Sequence, residues 1–229
     1  TFADSVGSHD ATCIGSACPG FTDSGRIGNA WTFDGVDDGL NVSSHASFNW
    51  GVADSFSIEF WMKTDPASAC SGNEVIIGRN DVKLQWWVGC YDNSGVAAFR
   101  LNDTGGNSVL IYGSTDLTDG RWHHVAAVRD GGAGENNLYV DGILENSKKF
   151  TYSAGFDSAT AALNIGWLNL SPFYHFAGTI DERAVYGRVL AEKEIGQHYI
   201  DGSVGVGWGY CPDCGASVRI MPLGDSITR

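Results

Sequence analysis

Arg121-Trp122-His123-His124-Val125-Ala126-Ala127-Val128-Arg129-Asp130 leads through Gly131-Gly132-Ala133-Gly134 to Asn137-Leu138-Tyr139-Val140-Asp141-Gly142. The first run has an apolar centre, the second is rich in strand formers, and a Gly-rich loop separates them. Asp141-Gly142 is a strong short-range turn signal. The stretch therefore reads as one antiparallel unit closed by a sharp turn.

Working outward, Phe56-Ser57-Ile58-Glu59-Phe60-Trp61-Met62-Lys63 has the cleanest alternation in the chain. Phe56, Ile58, Phe60 and Met62 share one face of a strand, and Ser57, Glu59 and Lys63 share the other. That pattern predicts one face on a core and one in water. Further strand signals fall at 31–34, 39–43, 74–79, 82–88, 96–102, 108–112, 122–129, 137–147 with its turn, 161–167 and 176–186. Residues 1–30 read as a loop-rich lead-in. The only helical segment is Ala191 to Tyr199, with Ala191 where a capping serine would serve. This pattern predicts an all-β fold, a two-sheet antiparallel jelly-roll sandwich with one short C-terminal helix.

Composition fits that class. The 229 residues include 31 glycines and 8 tryptophans, and charged residues are sparse, as many short strands and tight turns require. No apolar run is long enough to span a membrane as a helix. A net charge of −13 repels phosphate backbones and anionic lipids, which argues against nucleic acid and membrane surfaces as partners. Neutral glycans and proteins remain. Strongly anionic polysaccharides are disfavoured unless a bound cation offsets the charge.

Six cysteines in a Gly-rich acidic β chain point to disulfides and a secreted protein. They fall as Cys13 and Cys18, Cys70 and Cys90, Cys211 and Cys214; neighbour pairing is the expectation, although sequence leaves connectivity open. Cys211-Pro212-Asp213-Cys214 also looks like half of a zinc ribbon, but a structural zinc needs four ligands and there is no second such knuckle. Asn41-Val42-Ser43, Asn102-Asp103-Thr104 and Asn169-Leu170-Ser171 are glycosylation sequons, meaningful only in a eukaryotic secretory pathway.

Residues 1–200 resemble the laminin-G-like, concanavalin-A-like lectin and glucanase superfamily. The resemblance is carried by Gly28 to Asp38 (GNAWTFDGVDD), the 56–63 strand, the 121–142 unit and Gly178 to Leu190 (GTIDERAVYGRVL). The family usually places Ser where this chain has Ala191. After a Gly-rich linker with the CPDCG element, at 201–216, residues 217–229 resemble the first block of GDSL-type SGNH hydrolases. There a strand delivers a Gly-Asp-Ser turn, and the matching nucleophile is Ser226 in Gly224-Asp225-Ser226-Ile227-Thr228. That family also needs an Asp-x-x-His, and none occurs in these 229 residues. A serine without a base is not activated. The resemblance implies a binding module joined to the start of a secreted esterase.

Glucanases of this superfamily carry paired acids on one inward strand. Here Glu59 stands alone and Asp181-Glu182 are adjacent, pointing opposite ways, so no such pair forms. The resemblance instead implies a structural Ca²⁺ held by Asn29, the Trp31 backbone, Asp34 and Asp181. Carboxylates and loop carbonyls suit that hard ion; the alternative is that Asp34 and Asp181 merely satisfy turn amides. His123-His124 alternate across a strand and cannot share a metal, so a packed histidine is the expectation. Sugars dock on exposed aromatic faces with amides and carboxylates nearby. The candidates are Trp86 and Trp87, one on each face of a strand, and Trp50, Trp167, Phe173 and Tyr174 in loops; Asp92, Asn93, Asn102 and Asp103 are possible polar contacts. Glycan binding is the leading expectation, with a protein-binding or adhesion module, or a spacer, as alternatives.

Overall fold

The computed structural model describes residues 2–4, 9–13, 15, 17–67, 70–170, 174–207 and 217–218. The strands are β1 (Ala11–Cys13), β2 (Gly20–Thr22), β3 (Ala30–Asp34), β4 (Leu40–Val42), β5 (Phe56–Thr64), β6 (Glu74–Asn80), β7 (Gln85–Tyr91) and β8 (Val96–Asn102). They continue as β9 (Ser108–Tyr112), β10 (His123–Asp130), β11 (Glu135–Val140), β12 (Ile143–Lys149), β13 (Leu163–Ile165), β14 (Ala177–Tyr186) and β15 (Ser217–Val218). Among the described residues one α-helix, α1 (Glu192–Ser203), lies between the last two strands, and a single 3-10 turn (Ala46–Phe48) follows β4.

The strands form two antiparallel sheets. The first runs β1-β4-β13-β6-β7-β8-β9, and the second β12-β11-β10-β5-β14-β3-β2, with β15 paired to β14. Phe56, Ile58, Phe60 and Met62 of β5 enter the core between the sheets, meeting Trp86, Val88, Phe99 and Leu101 from β7 and β8. Burying such side chains is the main stabilising term of a sandwich.

The 121–142 unit forms as its sequence requires. β10 pairs with β11 from Val125 opposite Val140 to Asp130 opposite Glu135. Asp141 and Gly142 both take positive φ, 50° and 77°, which makes the two-residue turn into β12. Residues 1–30 are less loop-like than their sequence reads. They contribute β1 and β2 to the sheet edges, three-residue strands too short to show a period.

The outer face of β5 departs from expectation. Ser57 and Glu59 are fully buried, not in water. The chain leaving β14 folds back over them: the Ser57 hydroxyl donates to the Arg188 carbonyl at 2.8 Å and accepts from the Leu190 amide at 2.9 Å. The helix then covers Trp61, Ala126, Val128 and Tyr186 with Leu190, Ile195 and Tyr199. Ala191 occupies the N-cap without a side-chain bond, while Glu192 and Glu194 in the first turn complement the helix dipole. A bidentate pair from Arg188 to Glu194, 2.8 and 2.6 Å, fixes the entry.

The helix outlasts its expected end at Tyr199 and occupies the first three residues of the expected 201–216 linker. Gly202 lies against the Trp61 indole, where an added Cβ would come within 2.5 Å of Nε1, so glycine permits the close approach. Cys211, Cys214, Ser226 and Phe173 lie outside the described residues.

Candidate functional site

The outer face of the first sheet is built by alternation. One in-register row crosses all seven strands: Thr12, Asn41, Asn164, Gly78, Trp87, Arg100 and Leu110. The adjacent row is Asn80, Gln85, Asn102 and Ser108. Its side chains bond laterally: Gln85 Nε2 donates to Asn80 Oδ1 at 3.3 Å, Asn102 Nδ2 to Gln85 Oε1 at 3.4 Å, and the Ser108 hydroxyl to Asn102 Oδ1 at 2.5 Å. In the first row Asn164 Nδ2 donates to Asn41 Oδ1 at 2.7 Å. The result is a stripe of amides oriented by one another on a rigid sheet.

On the other side of the Trp87 row, Tyr91 and Tyr112 stack across β8, with centroids 5.4 Å apart and planes 4° from parallel. Ala98 of β8 lies opposite both Gly89 and Tyr112 in the neighbouring row. Tyr112 is 52 % exposed. Neither tyrosine, nor Arg100, Asn80 or Gln85, stood out in sequence. Alternation alone puts Gln85 and Tyr91 on the Trp87 side of one strand and Tyr112 on the Leu110 side of another; that these sides share a sheet face with Arg100 and Asn80 follows only from the register.

The aromatic residues singled out from sequence divide. Trp86 is fully buried, Trp87 is 2 % exposed under Leu168, and Trp50 is 5 % exposed and stacked on Phe56 at 3.9 Å. None of the three offers an open face, because large indoles fill the space between and above the sheets. Trp167 and Tyr174 are half-buried. Trp167 stacks on His175 at 5.9 Å and donates Nε1–H to the Leu40 carbonyl at 3.2 Å.

Trp167 thereby joins the turn after β3. There Asp34, Asp37 and Asp38 bring carboxylate oxygens within 4.8 Å of one another, and His175 Nδ1 lies 3.1 Å from the Asp38 carbonyl. Asp34 Oδ1 accepts from the amides of Val36, Asp37 and Asp38. Partial burial opposes ionisation of Asp34, but those amides hold its pKa below the usual carboxylate value. Burial and then the Asp34 charge push Asp38 up.

Asp181 does not join this group. Asp34 pairs with Ala177, so Asp181 lies four residues further along β14, about 13 Å at strand rise. Its oxygens accept the amides of Ile27 and Glu182 at 2.9 Å each, and burial raises its pKa despite them. Trp31 is in the ladder on both sides, opposite Ile180 and Phe21. Of the expected four-residue calcium set, Asp34 therefore stands apart, whereas Asn29 lies near Asp181: a Cβ on Gly25 would come within 2.8 Å of the Asn29 carbonyl carbon and 2.9 Å of Asp181 Oδ2.

Asp103, a proposed polar contact, is fully buried and binds the amides of Asn107, Ser153 and Ala154, so it organises loops. His123 and His124 diverge as alternation requires. His123 sits between Asp141 (2.9 Å) and Asp119 (3.1 Å), while His124 reaches Glu59 (3.2 Å) under the helix. Glu59, sealed beneath α1, has no route to a substrate.

Residues 34–196 match the sequence family described as the concanavalin A-like lectin/glucanases superfamily. The chain belongs to this superfamily. No curated protein sequence matches it. Among solved structures, domain 4 of AbnA, a GH43 extracellular arabinanase from Geobacillus stearothermophilus, in complex with arabinotriose, is similar with TM-score 0.63 and 18% identity, covering 82% of this chain and 87% of that one. The binding domain of Paraclostridial Mosquitocidal Protein 1 gives 0.66 and 16%, covering 86% and 50%. The Botulinum Neurotoxin serotype G binding domain gives 0.65 and 19%, covering 84% and 46%. The chain thus spans about half the length of these toxin domains. At such identities the likeness is one of fold.

Proposed function

We propose that this superfamily member is a non-catalytic carbohydrate-binding module, and that it tethers a secreted SGNH-type esterase to polysaccharide. The observation that carries the reading is the outer face of the first sheet, where a row of pre-oriented amides and the stacked Tyr91–Tyr112 pair lie on either side of the Trp87–Arg100 row. Tyrosine rings offer an apolar platform for sugar C–H faces, and paired amides bind hydroxyls with directionality. The arabinanase domain bound to arabinotriose supports a glycan ligand on this fold. Disulfides Cys13–Cys18 and Cys70–Cys90 support an oxidising, extracellular setting. The GDSIT sequence around Ser226 supports the esterase; tethering would raise its local substrate concentration.

Calcium remains part of the proposal at a revised place. Asp34, Asp37 and Asp38 fit a hard divalent ion, since three converging carboxylates leave oxygens that the turn amides do not use. The ion would rigidify the turn that carries the Leu40 carbonyl and Trp167.

Retention of the chain on a panel of neutral and acidic polysaccharides, with calcium and with EDTA, tests the reading. Retention on one glycan class supports it; no retention in either condition overturns it. A protein-binding module is the second reading, supported by the related Botulinum neurotoxin DC domain solved with rat synaptotagmin II.

A further inference from the structure

At one end of the sandwich, away from the sheet face, a groove of about 550 Å³ runs between the β10–β11 turn, the segment after β12 and the loop before β5. Its walls are tied together: the Phe150 amide donates to the Gly134 carbonyl at 2.9 Å, and the Gly131 amide to the Ser55 hydroxyl at 3.0 Å.

Arg129 lines this groove with only 3 % of its surface exposed. Its guanidinium lies over the Tyr152 ring, 4.9 Å from the centroid. Among the described residues its hydrogen bonding is slight: Nη1 to the Glu135 carbonyl at 3.5 Å, while the buried Nε has no partner. Asp130, beside it in sequence, spends Oδ1 on the Ala133 amide at 2.8 Å. Arg79, equally buried, shows what satisfaction looks like, with the Phe48, Ser158 and Ala161 carbonyls and Asn49 as partners. The Asp130 charge acts on the guanidinium through space, but among the described residues no carboxylate bonds it; a buried guanidinium so weakly bonded is costly, and the group that best completes it is a planar carboxylate.

Lys149 adds a second cation on the rim. It is exposed and makes no ion pair among the described residues, although Glu135 lies opposite it in the ladder. Phe150 supplies a half-buried ring, and Thr151 an exposed hydroxyl. The chain's charge of −13 repels a polyacid as a whole. A single carboxylate on an otherwise neutral chain escapes that penalty.

We propose that this groove binds the carboxylate of a uronic acid residue carried on a glycan, with Arg129 as its partner and Lys149 as the outer cation. The choice of a glycan rests on the function proposed above; the carboxylate does not.

The test follows backbone amide shifts of Gly131, Ala133, Gly134 and Thr151 during titration with methyl glucuronide, and separately with methyl glucoside. Saturable shifts with the glucuronide alone are expected. Arg129→Lys should weaken them by about tenfold or more, because a point charge replaces a bidentate fork. Lys149→Glu, on the exposed rim where the like charge of Glu135 opposite it costs the fold little, should weaken them several-fold. Absence of saturable shifts overturns the proposal, as do equal shifts with the glucoside or indifference to Lys149→Glu. Shifts with an aspartate-containing peptide but not with the glucuronide overturn it in favour of a protein ligand. Retention on neutral polysaccharide is read separately, so failure of the groove and failure of the sheet-face reading are distinguishable.

Discussion

His198 of α1 places Nδ1 3.0 Å from both carboxylate oxygens of Glu59 in β5, joining the helix to the sheet through a fully buried acid. His124 Nε2 at 3.2 Å and the Tyr186 hydroxyl at 2.5 Å complete the shell. Burial alone would raise the Glu59 pKa, but the hydrogen bonds and charges of the two histidines bring it down to about 2. A folded value below the ordinary 4.5 means that Glu59 adds stability at higher pH and loses it as pH falls from about 4.5 through about 2. Glu59→Gln should therefore flatten that acid limb of the stability curve, measured by chemical denaturation across pH. Glu59→Ala, which strands the histidines, should cost about 3–5 kcal/mol.

His123 gives the opposite sign. Burial works to lower its pKa, yet Asp141 and Asp119 hold it above 6.5. Its contribution is fully present below 6.5 and is lost as pH rises through the folded value. His123→Asn should remove that neutral-pH slope while leaving the Glu59 limb in place. An unchanged slope would show that the two aspartates do not stabilise the imidazolium.

The acid turn makes a third prediction. If Asp34, Asp37 and Asp38 hold calcium, adding the ion should raise the thermal midpoint, and Asp34→Asn should abolish that increment, while Asp181→Asn leaves it. Asp181→Asn should still destabilise, because Asp181 holds the Ile27 and Glu182 amides. A calcium response lost with Asp181→Asn but not with Asp34→Asn would instead place the ion on the Asn29–Asp181 side, away from the acid turn.

Period-2 alternation made β5, β10 and the Asp141-Gly142 turn legible, since each rests on local residues alone. What covers the far side of β5 was not legible. Glu59 alternates like a solvent residue, and only the return of the chain at Arg188 and α1 buries it. The same limit explains the tryptophans. Alternation assigns Trp86 and Trp87 to opposite faces, but does not say that Leu168 closes over Trp87. Tyr91 and Tyr112 are 21 positions apart, and their stacking exists only once β8 lies between them.

That stacking carries the last prediction. Tyr112 is half exposed and packs its ring on Tyr91, so Tyr112→Ala removes the outer half of the platform while leaving the core between the sheets untouched. Stability should change by about 1 kcal/mol or less. Retention on the glycan that binds the native chain should fall by about tenfold or more, since stacking contributes on the order of 1 kcal/mol beyond buried area. Tyr112→Phe keeps the ring and should bind nearly as the native chain does. Asn102→Ala, which breaks the amide row at its centre, should weaken binding without altering the Tyr91 ring. Full retention by both Tyr112→Ala and Asn102→Ala would remove this face as the site.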